Sequence, residues 1–161
     1  MHTKSLPAGP EKDGVRAAIV DRWPETVVAE MEGATFFSLD ESNWPSYATV
    51  VWTDAFDMGN PSDLARPGVF RVNIGLGKDT YTRLVGEMER PNYRQLDRLI
   101  PHPLYAKQHW AAILNPSRET FDEVVLPLLS EAHDRLVAVR ERQERLRDPN
   151  DAAASAEEPN D

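Results

Sequence analysis

Large apolar side chains occupy every second position between residues 70 and 76: Phe70, Val72, Ile74 and Leu76. Successive side chains of a β-strand point to opposite faces of the sheet, so this period of two predicts a strand with one face in the core. Arg71 and Asn73 then lie on the opposite face of the same strand. There they are either solvated or border a cleft.

Four other segments have the β-branched and aromatic composition typical of strands: residues 26–31, 34–39, 47–53 and 109–114. The first two are separated only by Glu32 and Gly33, and two residues with glycine in second place predict a tight hairpin turn. The sequence therefore predicts neighbouring antiparallel strands in the first half of the chain.

Helical periodicity dominates both ends of the chain. Residues 11–22 predict a first helix that Pro24 ends, and apolar residues recur at helical spacing from Phe121 to Val137. Thr120 and Glu123 fit a capping box at the start of this last helix. Pro127 predicts either a kink or a helix that begins near that proline. Shorter helical pieces are predicted around residues 79–85 and 93–99.

This order of elements predicts an α+β two-layer sandwich. An antiparallel sheet of about five strands would pack on one face against the N-terminal and C-terminal helices. The length of 161 residues fits one domain, which we place at residues 11–147. Residues 1–10 are predicted to form a flexible N-terminus, and the small, acidic residues 148–161 a disordered tail.

Charge and composition limit the classes of function. The formal net charge is −9, and five acidic residues follow Arg147 without any basic one. Without those five, 22 acidic residues face 18 basic ones, and this excess repels polyanions, which argues against nucleic acid as a partner. The absence of cysteine excludes disulfides and thiolate chemistry. We recognise neither a secretion signal nor a membrane span, and therefore expect a cytoplasmic location.

The least generic segment runs from residue 97 to residue 116 and contains four candidate ligand-binding residues: His102, Tyr105, His109 and Trp110. Aromatic walls with a few polar anchors suit a small organic ligand. We predict that these side chains line one partly buried cavity against Arg71 and Asn73. Tyr105 and His109 would share a face if the residues between them are helical. The structural alternative is that His109 and Trp110 pack at the edge of the core without a cavity.

Other chemistry is less well supported by the sequence. His102 and His109 are seven residues apart, with Asp97 five residues before His102, and neither spacing matches the usual metal-binding pairs. Residues 75–80 lack the first glycine of a phosphate-binding loop, and residues 54–63 lack the ligand order of a calcium loop. We therefore predict no metal and no cofactor. If the protein is an enzyme, acid/base catalysis by His102 or His109 is the chemistry that the sequence supports.

One pattern resembles a known family. His102-Pro103-Leu104-Tyr105, followed by His109-Trp110 and an apolar strand, resembles the MmcQ/YjbR-like proteins. The segment from Arg66 to Gly75 is similar to that of a related bacterial family of unknown function. The resemblance covers roughly residues 15–137 and implies a CyaY-like fold, a twisted antiparallel sheet backed by two helices. It also implies a double-wing, DNA-binding-like architecture in some members.

Three functions follow from these observations. We predict a small-molecule binding or accessory protein that uses the pocket lined by histidine, tyrosine and tryptophan. One alternative is a DNA-binding or protein-interaction module of the double-wing kind, and another is a cofactor-free enzyme with histidine acid/base catalysis. The acidic charge argues against the DNA-binding alternative, so we expect no measurable duplex binding at physiological salt.

Overall fold

Six strands form one open antiparallel sheet in the part of the chain that the computed structural model describes, residues 6–41 and 45–147. The strands are β1 (Val27–Met31), β2 (Ala34–Ser38), β3 (Ser46–Val51), β4 (Arg71–Gly75), β5 (Ile100–Pro101) and β6 (Trp110–Leu114). Their order across the sheet is β1-β2-β3-β4-β6-β5, and every neighbouring pair is antiparallel. The strand missed by the sequence is β5, because two residues are too short to show any periodicity.

The helices pack on one face of this sheet. The helices are α1 (Lys12–Arg22), α2 (Lys78–Tyr81), α3 (Arg118–Thr120) and α4 (Leu126–Arg147). A π-helical turn, Thr82–Gly86, follows α2, and a second one, Phe121–Val125, joins α3 to α4. This layering confirms the predicted α+β class.

The main core lies between the helices and the sheet. Apolar side chains of α1, the second π-helical turn and α4 meet those of the central strands there: Val15, Ile19, Phe121, Val125 and Leu129 against Phe37, Val50, Val72, Ile74 and Ile113. The alternation predicted for residues 70–76 is confirmed, because all four of its apolar side chains are buried. Two-residue periodicity therefore identifies the core face of β4 correctly.

A smaller apolar cluster covers part of the opposite face. The loop between β3 and β4 folds back over the sheet, so that Leu64 and Val69 pack with Ala34, Val51 and Leu114. The backbone N–H of Leu64 donates to Asp54 Oδ1 at 2.9 Å, which closes this loop upon itself. The rest of this face borders the candidate site.

Several local predictions need correction. Residues 93–99 form turns rather than a helix, and Leu96 pairs in a single parallel bridge with Leu114. The helical segment that continues from α3 through the second π-helical turn into α4 is capped by Ser117, whose Oγ accepts from the Thr120 N–H at 3.1 Å. The capping box predicted at Thr120 and Glu123 is therefore wrong. Pro127 is the second residue of α4, where its missing N–H falls at the start of regular α-helical bonding.

Two predictions on the ends of the chain fall partly or wholly outside the described residues. Residues 1–5 of the predicted flexible N-terminus and all of the predicted tail, residues 148–161, are not described. Among the helices that are described, none is both long and apolar enough to span a membrane.

Candidate ligand-binding site

A cavity of about 830 Å³ lies on the sheet face that carries Arg71 and Asn73, and it extends past the ends of β3 and β4 to helix α4. Its volume lies in the range typical of pockets for small organic ligands. Its walls are largely apolar and aromatic: Met31, Phe36, Val51, Phe56, Tyr105, Trp110, Leu136 and Val139. Polar side chains are confined to a few positions, most of them on the floor.

Strand register places the floor residues side by side. Thr49 of β3 pairs with Asn73 of β4, and Phe36 of β2 pairs with Thr49, so these three side chains form a row across the sheet. In the next row, Arg71 pairs with Val51 on one side and with Leu114 on the other. The antiparallel register thus brings together polar residues that lie far apart in the sequence.

Arg71 and Asp57 form an ion pair at one end of this floor. Arg71 Nη1 lies 2.8 Å from Asp57 Oδ2, and Nη2 lies 3.0 Å from Oδ1, so the guanidinium and the carboxylate pair through two parallel bonds. Both side chains are only 1% exposed. Nη1 also donates to Ser62 Oγ at 3.0 Å. Such bidentate geometry is what allows two charges to be held away from water, and it leaves this end of the cavity electrically balanced.

The hydrogen bonds beyond Arg71 have a fixed direction. Arg71 Nε can only donate, so the atom of Asn73 that it meets at 2.8 Å is the amide oxygen. The amide nitrogen of Asn73 therefore faces Thr49 and donates to Oγ1 at 2.9 Å. Because Thr49 accepts this bond, its own hydroxyl proton remains available to a further acceptor.

His102 is held in one neutral form above this floor. Its Nδ1 accepts from the backbone N–H groups of Leu104 and Tyr105, both at 3.0 Å, so the ring proton resides on Nε2. Burial and, secondly, the positive charge of Arg71 lower the pKa of His102 to about 3. The side chain is therefore an uncharged hydrogen-bond donor at neutral pH.

Nε2 of His102 faces the cavity. Among the described residues, every fully buried side-chain nitrogen or oxygen has a hydrogen-bond partner. His102 Nε2 has no such partner, so it is not fully buried. It must therefore retain access to open space, and the cavity is the space that His102 borders. The ring of Tyr105 lies beside that of His102, with 4.9 Å between the ring centres.

The indole of Trp110 forms a wall at the far end of β4. A Cβ atom added to Gly75, its strand partner, would lie only 3.1 Å from two indole ring carbons. The absence of a side chain at Gly75 is thus what lets the indole lie against the strand. This pairing gives the cavity a flat aromatic surface.

The cavity brings together five of the six residues predicted from the sequence: Arg71, Asn73, His102, Tyr105 and Trp110. His109 is not among its lining residues. Residues 106–108 form only one 3₁₀ turn, and His109 ends it in the left-handed conformation with φ 67°. This reversal places its ring 5.5 Å from that of Tyr81, so Tyr105 and His109 do not share a face as predicted.

The sequence interpretation missed Thr49, Asp57 and Ser62. Thr49 could have been found from alternation, since it shares a face with Arg71 once β3 and β4 are paired. A buried arginine also requires a carboxylate, and the neighbouring loop offers Asp54, Asp57 and Asp63. Nothing in the sequence distinguishes Asp57 among these three.

A second polar cluster borders the cavity near α4. Tyr47 lines the cavity, and burial raises its pKa to about 12, although the hydrogen bond with the Thr26 hydroxyl acts in the opposite direction. The ring of His133 stacks on Trp23 and meets Tyr47 edge to face. Its Nε2 is hydrogen-bonded to Glu25. These contacts join α1, β3 and α4 into one packed unit beside the cavity.

Within the described ranges, no three potential ligands among His, Asp and Glu side chains are arranged to hold a metal ion. The polar atoms on the floor are instead committed to one another or point into the cavity as N–H and O–H donors. The arrangement is therefore suited to hydrogen bonding with an organic molecule.

The chain belongs to the DUF6194 family, a family of unknown function whose model matches residues 11–146. No curated protein and no solved structure matches the chain significantly.

Proposed function

We propose that the protein binds a small organic molecule in the cavity on the open face of its sheet. The observation that carries this proposal is the construction of the floor. Arg71, Asn73 and His102 are buried, are held by specific hydrogen bonds and border a space of about 830 Å³. A packed core would fill that space with side chains, whereas a binding site keeps it open above a rigid polar base.

His102 serves this function as a fixed donor and does not transfer protons. Its Nδ1 is occupied by two backbone bonds, and a pKa of about 3 keeps the ring neutral across the physiological range. A general acid or base needs a pKa near the working pH. This argues for binding and against the alternative of histidine acid/base catalysis at this position.

Affinity selection from a library of small organic metabolites, read by mass spectrometry, tests the proposal. We expect the full chain to retain a defined compound. Tyr105→Ala is expected to lose it, because Tyr105 lines the cavity but is 51% exposed and contributes little to folding. Leu84→Ala is the control, since Leu84 is an exposed apolar residue outside the cavity lining. If both variants retained the compound equally, the compound would not bind in the cavity.

We also propose that the family relationship to MmcQ/YjbR-like proteins holds and that the sheet follows the CyaY-like arrangement. What supports this is the pattern of His102, Tyr105, His109 and Trp110, together with an antiparallel sheet that has helices on one side. An experimental structure compared with members of that family would test it through the order and direction of the strands.

A further inference from the structure

On the floor of the cavity, the polar groups without a partner among the described residues are donors. Nε2–H of His102 and the hydroxyl proton of Thr49 have no acceptor among the described side chains and backbone groups. Meanwhile the strongest acceptors nearby, the Asp57 carboxylate and the Asn73 amide oxygen, are occupied by Arg71.

The floor also carries no net charge. The one buried cation, Arg71, is compensated by Asp57 through both guanidinium Nη atoms. His102 is neutral because its Nδ1 accepts from the backbone. An anion placed on this floor would lose its hydration without meeting an uncompensated positive charge, and a cation would meet no uncompensated carboxylate, because Asp57 is the carboxylate of the described lining and is paired with Arg71.

Among the described lining residues, Arg135 is the one cation outside that pair, and it lies at the opposite end of the cavity on α4. It is exposed, so water screens its charge strongly. Its side chain lies beside Gly77, beyond the end of β4. It can attract an anionic group only at the mouth of the cavity, away from the donors of the floor.

From this donor excess we infer that the ligand is an uncharged molecule that combines an aromatic or apolar body with a carbonyl-type acceptor. The acceptor meets the donors of His102 and Thr49, and the body lies against Trp110, Phe36 and Phe56. This inference rests on the proposed function and adds the chemical class of the ligand. It assigns His102 and Thr49 the role of selecting that class.

Three probes of nearly equal shape test the inference: 2-acetylnaphthalene, 2-ethylnaphthalene and 2-naphthoate. They differ in carrying an uncharged acceptor, no acceptor, or a negative charge. Dissociation constants are measured by NMR titration of the full chain, following the indole N–H of Trp110. We expect the acetyl compound to bind about five- to tenfold more tightly than either of the others, the advantage expected of one neutral hydrogen bond.

A separation-of-function variant identifies the donor. In His102→Asn, the amide oxygen takes the place of Nδ1 and can still accept from Leu104 and Tyr105, while the donor at Nε2 is lost. We expect this variant to fold normally and to show a smaller preference for the acetyl compound over the ethyl compound, because only the Thr49 donor remains. Leu84→Ala, outside the cavity lining, is the control and is expected to leave this preference unchanged.

The outcomes separate this inference from the proposed function. Tighter binding of 2-naphthoate, abolished by Arg135→Gln, would overturn the inference and assign the cavity to anions. Equal binding of the acetyl and ethyl compounds by the natural chain would also overturn it, with the cavity still a binding site. If none of the three probes bound while the affinity selection retained a compound, the inference would be overturned and the proposed function would stand. Failure of both experiments would overturn both.

Discussion

Arg71 is the largest fully buried side chain among the described residues, and it is charged. A guanidinium is tolerated there because Asp57, Ser62 and Asn73 together accept four of its hydrogen bonds. Removing one partner of such a pair leaves a bare charge in a dry environment, which is far costlier than losing a surface pair. Stability at this site therefore depends on the pair as a unit.

Asp57→Asn is expected to lower the free energy of unfolding by about 3 kcal/mol or more, because it strands the Arg71 charge. The matched control is Asp63→Asn in the same loop. The Asp63 pair with Arg66 is half-exposed, and asparagine tolerates its φ of 49°, so the control should change stability by less than about 0.5 kcal/mol. Chemical denaturation of both variants makes the comparison. Equal losses would mean that the Arg71 pair contributes no more than a surface pair.

His102 gives stability a specific dependence on acid. Its pKa is lowered from 6.5 to about 3 in the folded chain, so the unfolded state takes up a proton first. The contribution of His102 is therefore fully present above pH 6.5 and is lost as the pH falls from there toward 3. We expect the loss between pH 7 and pH 4.5 to be roughly 2–3 kcal/mol.

His102→Asn tests this directly, because asparagine does not titrate. Between pH 7 and pH 4.5, the free energy of unfolding of the variant should fall by roughly 2–3 kcal/mol less than that of the natural chain. Denaturation curves at the two pH values measure it, and all other titrating groups cancel in the difference. Parallel behaviour of the two proteins would show that His102 is not held neutral by the fold.

At the scale of elements, the helices and strands that were predicted correctly are those with a local sequence pattern. Helix α1, the long C-terminal helix and strand β4 with its core face follow from apolar spacing, whereas strands β1, β2, β3 and β6 follow from β-branched and aromatic composition. The errors occur where geometry depends on distant contacts. The left-handed His109 and the two-residue strand β5 have no local pattern, because tertiary packing decides both.

The candidate site shows the same division. Arg71 and Asn73 were found because they interrupt an apolar strand, and His102, Tyr105 and Trp110 because their segment is rich in aromatic and histidine side chains. Asp57 was not found, since its role depends on how a long loop folds back over the sheet. A pattern within one strand is visible in the sequence, whereas the partner that completes an ion pair is not.

The cap of the C-terminal helix provides a test at this scale. Ser117→Ala removes the side-chain acceptor for the Thr120 N–H and is expected to cost about 1 kcal/mol of stability. Ser117→Thr keeps a hydroxyl at the cap and should remain within about 0.5 kcal/mol of the natural chain. Thermal unfolding followed by circular dichroism compares the two. A neutral Ser117→Ala would mean that water satisfies this helix end equally well.

At the scale of the whole molecule, the cooperative unit is predicted to end with α4. The side chains from residue 138 to residue 147 are all exposed, whereas Leu136 and Val137 still pack against the main core. A chain that ends at Arg147 should therefore unfold with a Tm within about 2 °C of the full chain.

A chain that ends before Leu136 is the contrasting case, because it loses those two core contacts and a large part of α4. We expect its thermal transition to be broad or absent. If instead the cut after Arg147 lowered Tm strongly, residues 148–161 would belong to the folded domain, and the boundary placed there would be wrong.

The alternation of β4 has a consequence for how the sheet assembles. A slip of one residue in its pairing with β3 and β6 would exchange its two faces, so that Arg71 would point into the apolar core beneath the helices. The guanidinium would be buried there without Asp57, whereas the native pairing satisfies it. A misaligned sheet is thus destabilised because it buries the Arg71 charge without its carboxylate partner. The ion pair beside the cavity therefore also favours the correct strand register during folding.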